Sequence, residues 1–280
     1  MDGEAQKKTG NAGDTLILSD LHLGSELSRA ADALHLLKHR EYSQLILLGD
    51  IFADLNFGRL TGEHWKLLSL VRKLSNPKRK VKVVWVEGNH DEGLSNIMSH
   101  LVGVPVYKRY VWEHEGRRKL AIHGHQFDRF VSKNYLISQL GISIFHQMQR
   151  VNGLSKAVAQ RLDGFSTRWL RLTEKVASGA IAYARQGRID DVYCGHTHVA
   201  IERHEHGVSY YNSGCWVGPH ATYITDGVEG VEIHEYQNDR FAGVEYRDPS
   251  AQRAGQPAEA ADLFEQAGLP AFAGYESVRC

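Results

Sequence analysis

Apolar residues recur along this chain in two rhythms. At residues 15–19, 44–48 and 81–86 they form short continuous runs bounded by Gly, Asp or Asn. Runs of that length suit strands buried on both faces, because such a strand has no solvent side for polar residues. Residues 27–40 and 61–74 instead carry apolar side chains at the spacing of one helical face. The resulting β-α-β-α-β order predicts a parallel or mixed sheet in the first half. Farther along, residues 106–113 and 119–123 flank a hairpin turn at Glu115-Gly116-Arg117. Residues 208–212, 221–224 and 231–235 are short strand-like runs separated by Gly-containing turns, and this part reads as antiparallel. Two sheets packed face to face with helices outside fit both halves.

Residues 131–188 interrupt the strands with helical texture. Leu136, Leu140, Leu162, Trp169 and Val176 are interleaved with Arg150, Lys156, Arg161, Arg168 and Lys175. The segment is expected to form two or three helices that cap the main domain. The plainer alternative is that they cover one sheet. Residues 1–13 are small, polar and charged, and are expected to be disordered. The main domain then spans 14–247. Residues 248–280 read as a loosely held extension, with one short helix near 258–267.

Composition narrows the function classes. Lys+Arg and Asp+Glu balance at 33 each, so net charge gives no reason to expect nucleic acid as a partner. The 3 cysteines form no CxxC pattern and no disulfide framework. The polar N-terminus has no apolar signal segment, and no run approaches the roughly 18 apolar residues of a membrane span. A cytoplasmic protein, soluble or peripheral to the inner membrane, is expected. The 16 histidines direct attention to metal or acid–base chemistry.

That chemistry has a place. Asp20-Leu21-His22, Gly49-Asp50, Gly88-Asn89-His90-Asp91, His123-Gly124-His125 and Gly195-His196-Thr197-His198 each follow an apolar run. In open α/β sheets ligands collect beyond the carboxyl ends of strands, so one sheet edge can gather all these motifs. Asp-x-His or Gly-Asp alone reads as a solvated turn, whereas Gly-Asn-His-Asp packs an amide, an imidazole and a carboxylate directly after a buried strand. Together they offer mixed carboxylate, imidazole and amide donors, which suit Mn²⁺ and also Fe²⁺, Zn²⁺ or Co²⁺. Seven donors exceed what one zinc takes; two ions sharing Asp50 need about that number.

DLHLG, GD, GNHD and GHTH resemble the signature of the calcineurin-like metallophosphoesterase superfamily. The resemblance implies an α/β fold, a four-layer α/β/β/α sandwich of two mixed sheets flanked by helices. It implies one ion on Asp20, His22, Asp50 and His198, and another on Asp50, Asn89, His123 and His196. It implies catalytic roles for His90, which faces the substrate phosphate, and for Asp91, which orients His90. The substrate would carry a phosphodiester or diphosphate.

Within the superfamily, SDLHLGS, GDIFADL, the His123–Asp128 block and the helical insertion before GHTH resemble the UDP-2,3-diacylglucosamine hydrolases of lipid A synthesis. That likeness implies a nucleotide-lipid substrate, acyl chains held by the insertion, and peripheral contact with a membrane. The chain departs from those enzymes at His90, where they carry Arg, and at His125, where they carry Asp. A broad phosphodiesterase or phosphatase acting on soluble esters, and a non-catalytic scaffold of the same fold, are the alternatives. Oligomeric state leaves no trace in the sequence.

Overall fold

The computed structural model describes residues 13–94, 99–100, 102–128, 156–237 and 278–279, and only the backbone over 156–169 and 278–279. The expected N-terminal disorder up to residue 12, the tail helix near 258–267 and the 131–155 part of the insertion lie outside the described residues.

Strands β1 (Thr15–Leu18), β2 (Gln44–Leu48) and β3 (Lys82–Val86) pair in parallel, with helices α1 (Ala30–His39) and α2 (Gly62–Leu74) as crossovers. β4 (Val106–His114) follows, then β5 (Arg117–Ala121), helix α3 (Lys156–Gln186) and β6 (Asp191–Cys194). β7 (Ala200–Glu205), β8 (Val208–Ser213), β9 (Ala221–Gly227), β10 (Gly230–Tyr236) and the two-residue β11 (Val278–Arg279) complete the set.

Hydrogen bonding joins these into one mixed sheet in the order β10-β9-β1-β2-β3-β4-β5-β6-β8-β7, with β11 against β4. The joint is β4. Val106 and Tyr107 pair in parallel with β3, and Tyr110 to His114 pair antiparallel with β5. The antiparallel pairing expected in the second half is present at β4–β5, β7–β8 and β9–β10, while β5, β6 and β8 run parallel. That direction is made possible by the long α3 crossover between β5 and β6.

Side-chain alternation sorts the core. Leu45 and Leu47 of β2 join α1 and α2 residues such as Leu34, Leu37, Leu67 and Val71. Ile46 and Leu48 point the other way, into a cluster built from strands alone with Tyr110, Ala121, Tyr193 and Ile224. Each fully buried Leu or Ile contributes about 1.5–3 kcal/mol. A one-residue slip of β2 would exchange these faces, so register is strongly specified.

A third cluster brings Leu172, Val176, Ala180 and Tyr183 of α3 onto Leu120, Val192, Cys194 and Tyr210. The described end of the expected cap therefore covers the sheet. Small residues allow the close approach: a side chain at Gly179 would sit 3.0 Å from the Phe127 ring.

ERHEHG at 202–207 is mostly strand β7 with a turn at His206-Gly207. β7 ends the sheet, so Glu202 and His204 face solvent and their polarity masked the strand. Cys194 and Cys215 are buried free thiols.

Candidate metal centre

The motifs sit where the strands end. Asp20 lies two residues after β1, Asp50 two after β2, Asn89 three after β3, His123 two after β5 and His196 two after β6. Backbone bonds continue the sheet pairing into these loops: Asp20 N donates to Gly49 O (3.0 Å), His22 N to Asp50 O (3.0 Å) and Gly195 N to His123 O (3.0 Å). The loops are thereby fixed to one another before any ion is considered.

The backbone here is unusual. Asp20, His22, Asp50, His196 and His198 have φ of 53°, 43°, 50°, 67° and 55°. Left-handed conformations are uncommon outside glycine and are tolerated best by Asn, Asp and His. Their concentration at one place marks a conformation held by its surroundings. The motif glycines make room. A side chain at Gly88 would meet Asp50 N at 2.2 Å, and one at Gly195 would meet Asp20 Oδ2 at 2.5 Å.

Three groups of donors converge, the atoms of each lying within 4.8 Å of one another. They are Asp20, His22 and His198; Asp50, His123 and His196; and His22, Asp50 and His90. Asp50 belongs to two of them. Asn89 is drawn to the same place because the next residue, His90, donates its backbone N–H to Asp50 Oδ1 at 2.8 Å. Asp20, Asp50 and His123 are 0% exposed. Asp20 Oδ1 faces His198 Nε2 at 2.9 Å and Asp50 Oδ2 faces His123 Nε2 at 3.3 Å, while the buried Asn89 Oδ1 accepts no hydrogen bond. Buried acceptors left this way cost free energy unless another group meets them. Oxygen and imidazole donors facing one another around buried carboxylates fit divalent cations.

The electrostatics agree. Burial would raise the Asp20 carboxyl, but His198, His22 and His123 outweigh it and hold it well below the usual range. Asp50 is likewise lowered, its burial overcome chiefly by His123. His123 in turn is raised to about 9 by Asp50 despite burial. Burial, with His123 and His196 adding to it, pushes His125 down to about 3. Asp91 is pushed up to about 7 by burial and by Asp50.

The ring of His90 is anchored by Nδ1–H donating to Ala53 O at 2.8 Å, which leaves Nε2 toward the centre, 3.9 Å from Asp50 Oδ2. This differs from the expectation that Asp91 orients His90. The Asp91 carboxylate accepts from Ile51 N and Phe52 N, both at 3.0 Å. It pins the loop after β2, and so acts on Ala53 rather than on the ring.

Two further residues support the loops. Asn212 is fully buried beneath the GHTH loop and donates to Gly195 O (2.7 Å) and Thr197 Oγ1 (3.1 Å). His64 Nδ1 accepts from Gly24 N (3.3 Å) and Thr61 N (3.1 Å), tying the DLHLG loop to α2. Asn212 lies in the YYNSGCW stretch after the last ligand pair, a faint pointer; His64 carried no motif. Trp216 in that stretch is 0% exposed and packs in the helix-side core.

Strand-end loops that gather buried carboxylates and imidazoles define a metal-binding α/β protein. A sequence model of the calcineurin-like phosphoesterase superfamily domain matches residues 14–235, and the chain belongs to that superfamily. Comparison with curated protein sequences gives no match. Among solved structures, the chain is similar to YfcE, a phosphoesterase from E. coli, at 17% identity over 78% of this chain and 90% of that one, TM-score 0.46. It is also similar to an archaeal phosphodiesterase at 13% identity, covering 79% and 99%, TM-score 0.43. Wild-type Vps29 complexed with zinc, from Entamoeba histolytica, is similar at 13% identity, covering 80% and 99%, TM-score 0.42.

Proposed function

We propose that this protein hydrolyses a phosphoester or diphosphate bond with two divalent ions. Asp20, His22, Asp50 and His198 would hold one, and Asp50, Asn89, His123 and His196 the other. The observation that carries this reading is the convergence of carboxylate and imidazole donor atoms within 4.8 Å of one another, with the buried Asn89 Oδ1 accepting no hydrogen bond. Mn²⁺ is the ion this donor set leads us to expect, with Fe²⁺, Zn²⁺ and Co²⁺ as substitutes. When bound, the ions would supply Lewis acidity toward the phosphoryl group and acidify a water molecule.

The chain's own residues do the rest. His90, held at Nδ1 by Ala53 O, presents Nε2 beside Asp50 and is partly exposed, so substrate can reach it. In its protonated form it stabilises charge on the phosphoryl group and donates to the leaving oxygen. Asp91 keeps the Ala53 carbonyl in place by fixing the two preceding residues. The three core clusters are read as the interfaces of a four-layer α/β/β/α stack, a rigid support for loops that must converge to fractions of an ångström.

A second reading concerns the substrate. The resemblance to UDP-2,3-diacylglucosamine hydrolases supports an acylated nucleotide diphosphate, with peripheral contact at a membrane surface. No helix among the described residues is long and apolar enough to cross one.

The test is hydrolysis in Mn²⁺ of UDP-diacylglucosamine, UDP-N-acetylglucosamine, bis-p-nitrophenyl phosphate and p-nitrophenyl phosphate. Release of UMP from the acylated compound alone supports the lipid reading. Turnover of the simple esters regardless of acyl chains supports a broader phosphoesterase. No turnover of any would favour the scaffold.

A further inference from the structure

We propose that Asp128 is a positioning residue of the metal centre, holding the imidazole of His196 and through it the half-site of Asp50, His123 and His196. The inference rests on the dinuclear reading above.

Asp128 Oδ2 lies 3.6 Å from His196 Nε2, an ion-pair distance slightly longer than a hydrogen bond. Asp128 is 9% exposed, and its Oδ2 is buried and accepts no hydrogen bond. A carboxylate oxygen in that state is costly unless it serves a neighbour. The local chain is built to keep it there. Phe127 N donates to Gly124 O (3.1 Å) and Asp128 N to His125 O (3.0 Å), closing a 3₁₀ turn over His125–Phe127. Phe127 is 3% exposed and packs on Gly179 of α3, which anchors the turn. Asp128 is thereby turned toward His196.

The His196 imidazole packs edge-on against His123, and the Asp128 carboxylate faces its Nε2. The His196 backbone N–H donates to Asp20 Oδ2 at 3.1 Å, so its main chain is tied to the other half-site. That bond does not set the rotation of the imidazole. A carboxylate against a ligand histidine fixes ring orientation and tautomer and raises the basicity of the coordinating nitrogen. Asp128 thus links the HGHQFD turn, and the α3 surface beneath it, to the geometry of one half of the centre.

The experiment is titration of metal-free full-length protein with Mn²⁺ and Co²⁺, for wild type, Asp128→Asn and Asp128→Glu. Wild type must first take up two ions; uptake of fewer would sink the dinuclear reading itself. Given two, Asp128→Asn should bind one ion normally and the other 10–100-fold more weakly. Asp128→Glu should recover part of the loss, and the thermal midpoint of metal-free Asp128→Asn should not fall. At saturation the cobalt d–d bands should keep their intensity. Unchanged affinity for both ions would overturn the proposal. So would equal weakening of both with a lowered metal-free midpoint, which marks packing. Altered band intensity would make Asp128 a direct ligand and overturn the positioning role.

Discussion

His22 Nε2 and His198 Nε2 stand 3.1 Å apart although 176 residues separate them in sequence. Asp20 Oδ1 lies 2.9 Å from the second and 3.8 Å from the first. Two imidazole nitrogens at this distance can share one proton, and a cation between them and the carboxylate serves all three. Metal removal should therefore destabilise the fold. At a free ion concentration 100 times its Kd, binding adds about 2.7 kcal/mol per site. Calorimetry with and without a chelator should show a lower midpoint in the chelated sample. His198→Ala should take up one ion fewer per chain. Equal midpoints would contradict the assignment.

Asp50 enters two of the donor groups, with His22 and His90 on one side and His123 and His196 on the other. Asp50→Asn keeps the shape and removes the charge. Both ions should be lost together in elemental analysis of the purified protein. Retention of one at full occupancy would show that Asp50 does not bridge.

His90, like His123, commits Nδ1 to a backbone carbonyl, but its ring is partly exposed where that of His123 is fully buried. His90→Ala should lower kcat by about 10²–10⁴, the range for a general acid. Metal content should stay near two ions per chain. If the variant instead loses metal, the ring is a ligand and its assigned role is wrong.

The site was legible in the sequence because each motif follows an apolar run that ends abruptly in a short polar turn. Asp50 after QLILL and Asn89 after VVWVEG are of this kind. What stayed hidden depends on contacts across the chain. His64 reaches Gly24 across 40 residues, and no local pattern encodes that contact. The parallel pairing of β5 with β6 was missed because both are short, and strand direction is set by the connection between them. β7 was missed because an edge strand is written in polar residues. The covering role of 170–186 was open from the start, since an amphipathic helix reads the same whether it lies over a sheet or over a site.

Gly88 has no freedom to gain a side chain. Its Cβ would fall 2.2 Å from Asp50 N and 2.3 Å from Asp50 Oδ1, and the first of these is backbone. Gly88→Ala must displace the β2 loop. Overpacking of this kind costs about 1–3 kcal/mol. The prediction is a lower thermal midpoint in metal-free protein, together with weakened binding of both ions because Asp50 moves. An unchanged midpoint with two ions retained would show that the loop yields more readily than its contacts imply.

His64 gives the fold a pH dependence away from the metal centre. Its Nδ1 accepts two backbone N–H groups, from Gly24 and Thr61, and so must lack a proton in the native state. Burial lowers its pKa, with Glu63 opposing. The unfolded chain binds a proton at this residue near pH 6.5, whereas the native chain resists it until lower pH. The stabilising contribution is therefore present above about pH 6.5 and is lost as pH falls below it. Gln at this position keeps an acceptor three residues after the Thr61 cap but does not titrate, as in a Ser/Thr-x-x-Gln capping box. His64→Gln should match wild type near pH 8 and lose less stability by pH 5.5, measured by denaturant unfolding of metal-free protein. Parallel decline in both proteins would show that His64 takes up its proton equally in the native and unfolded states.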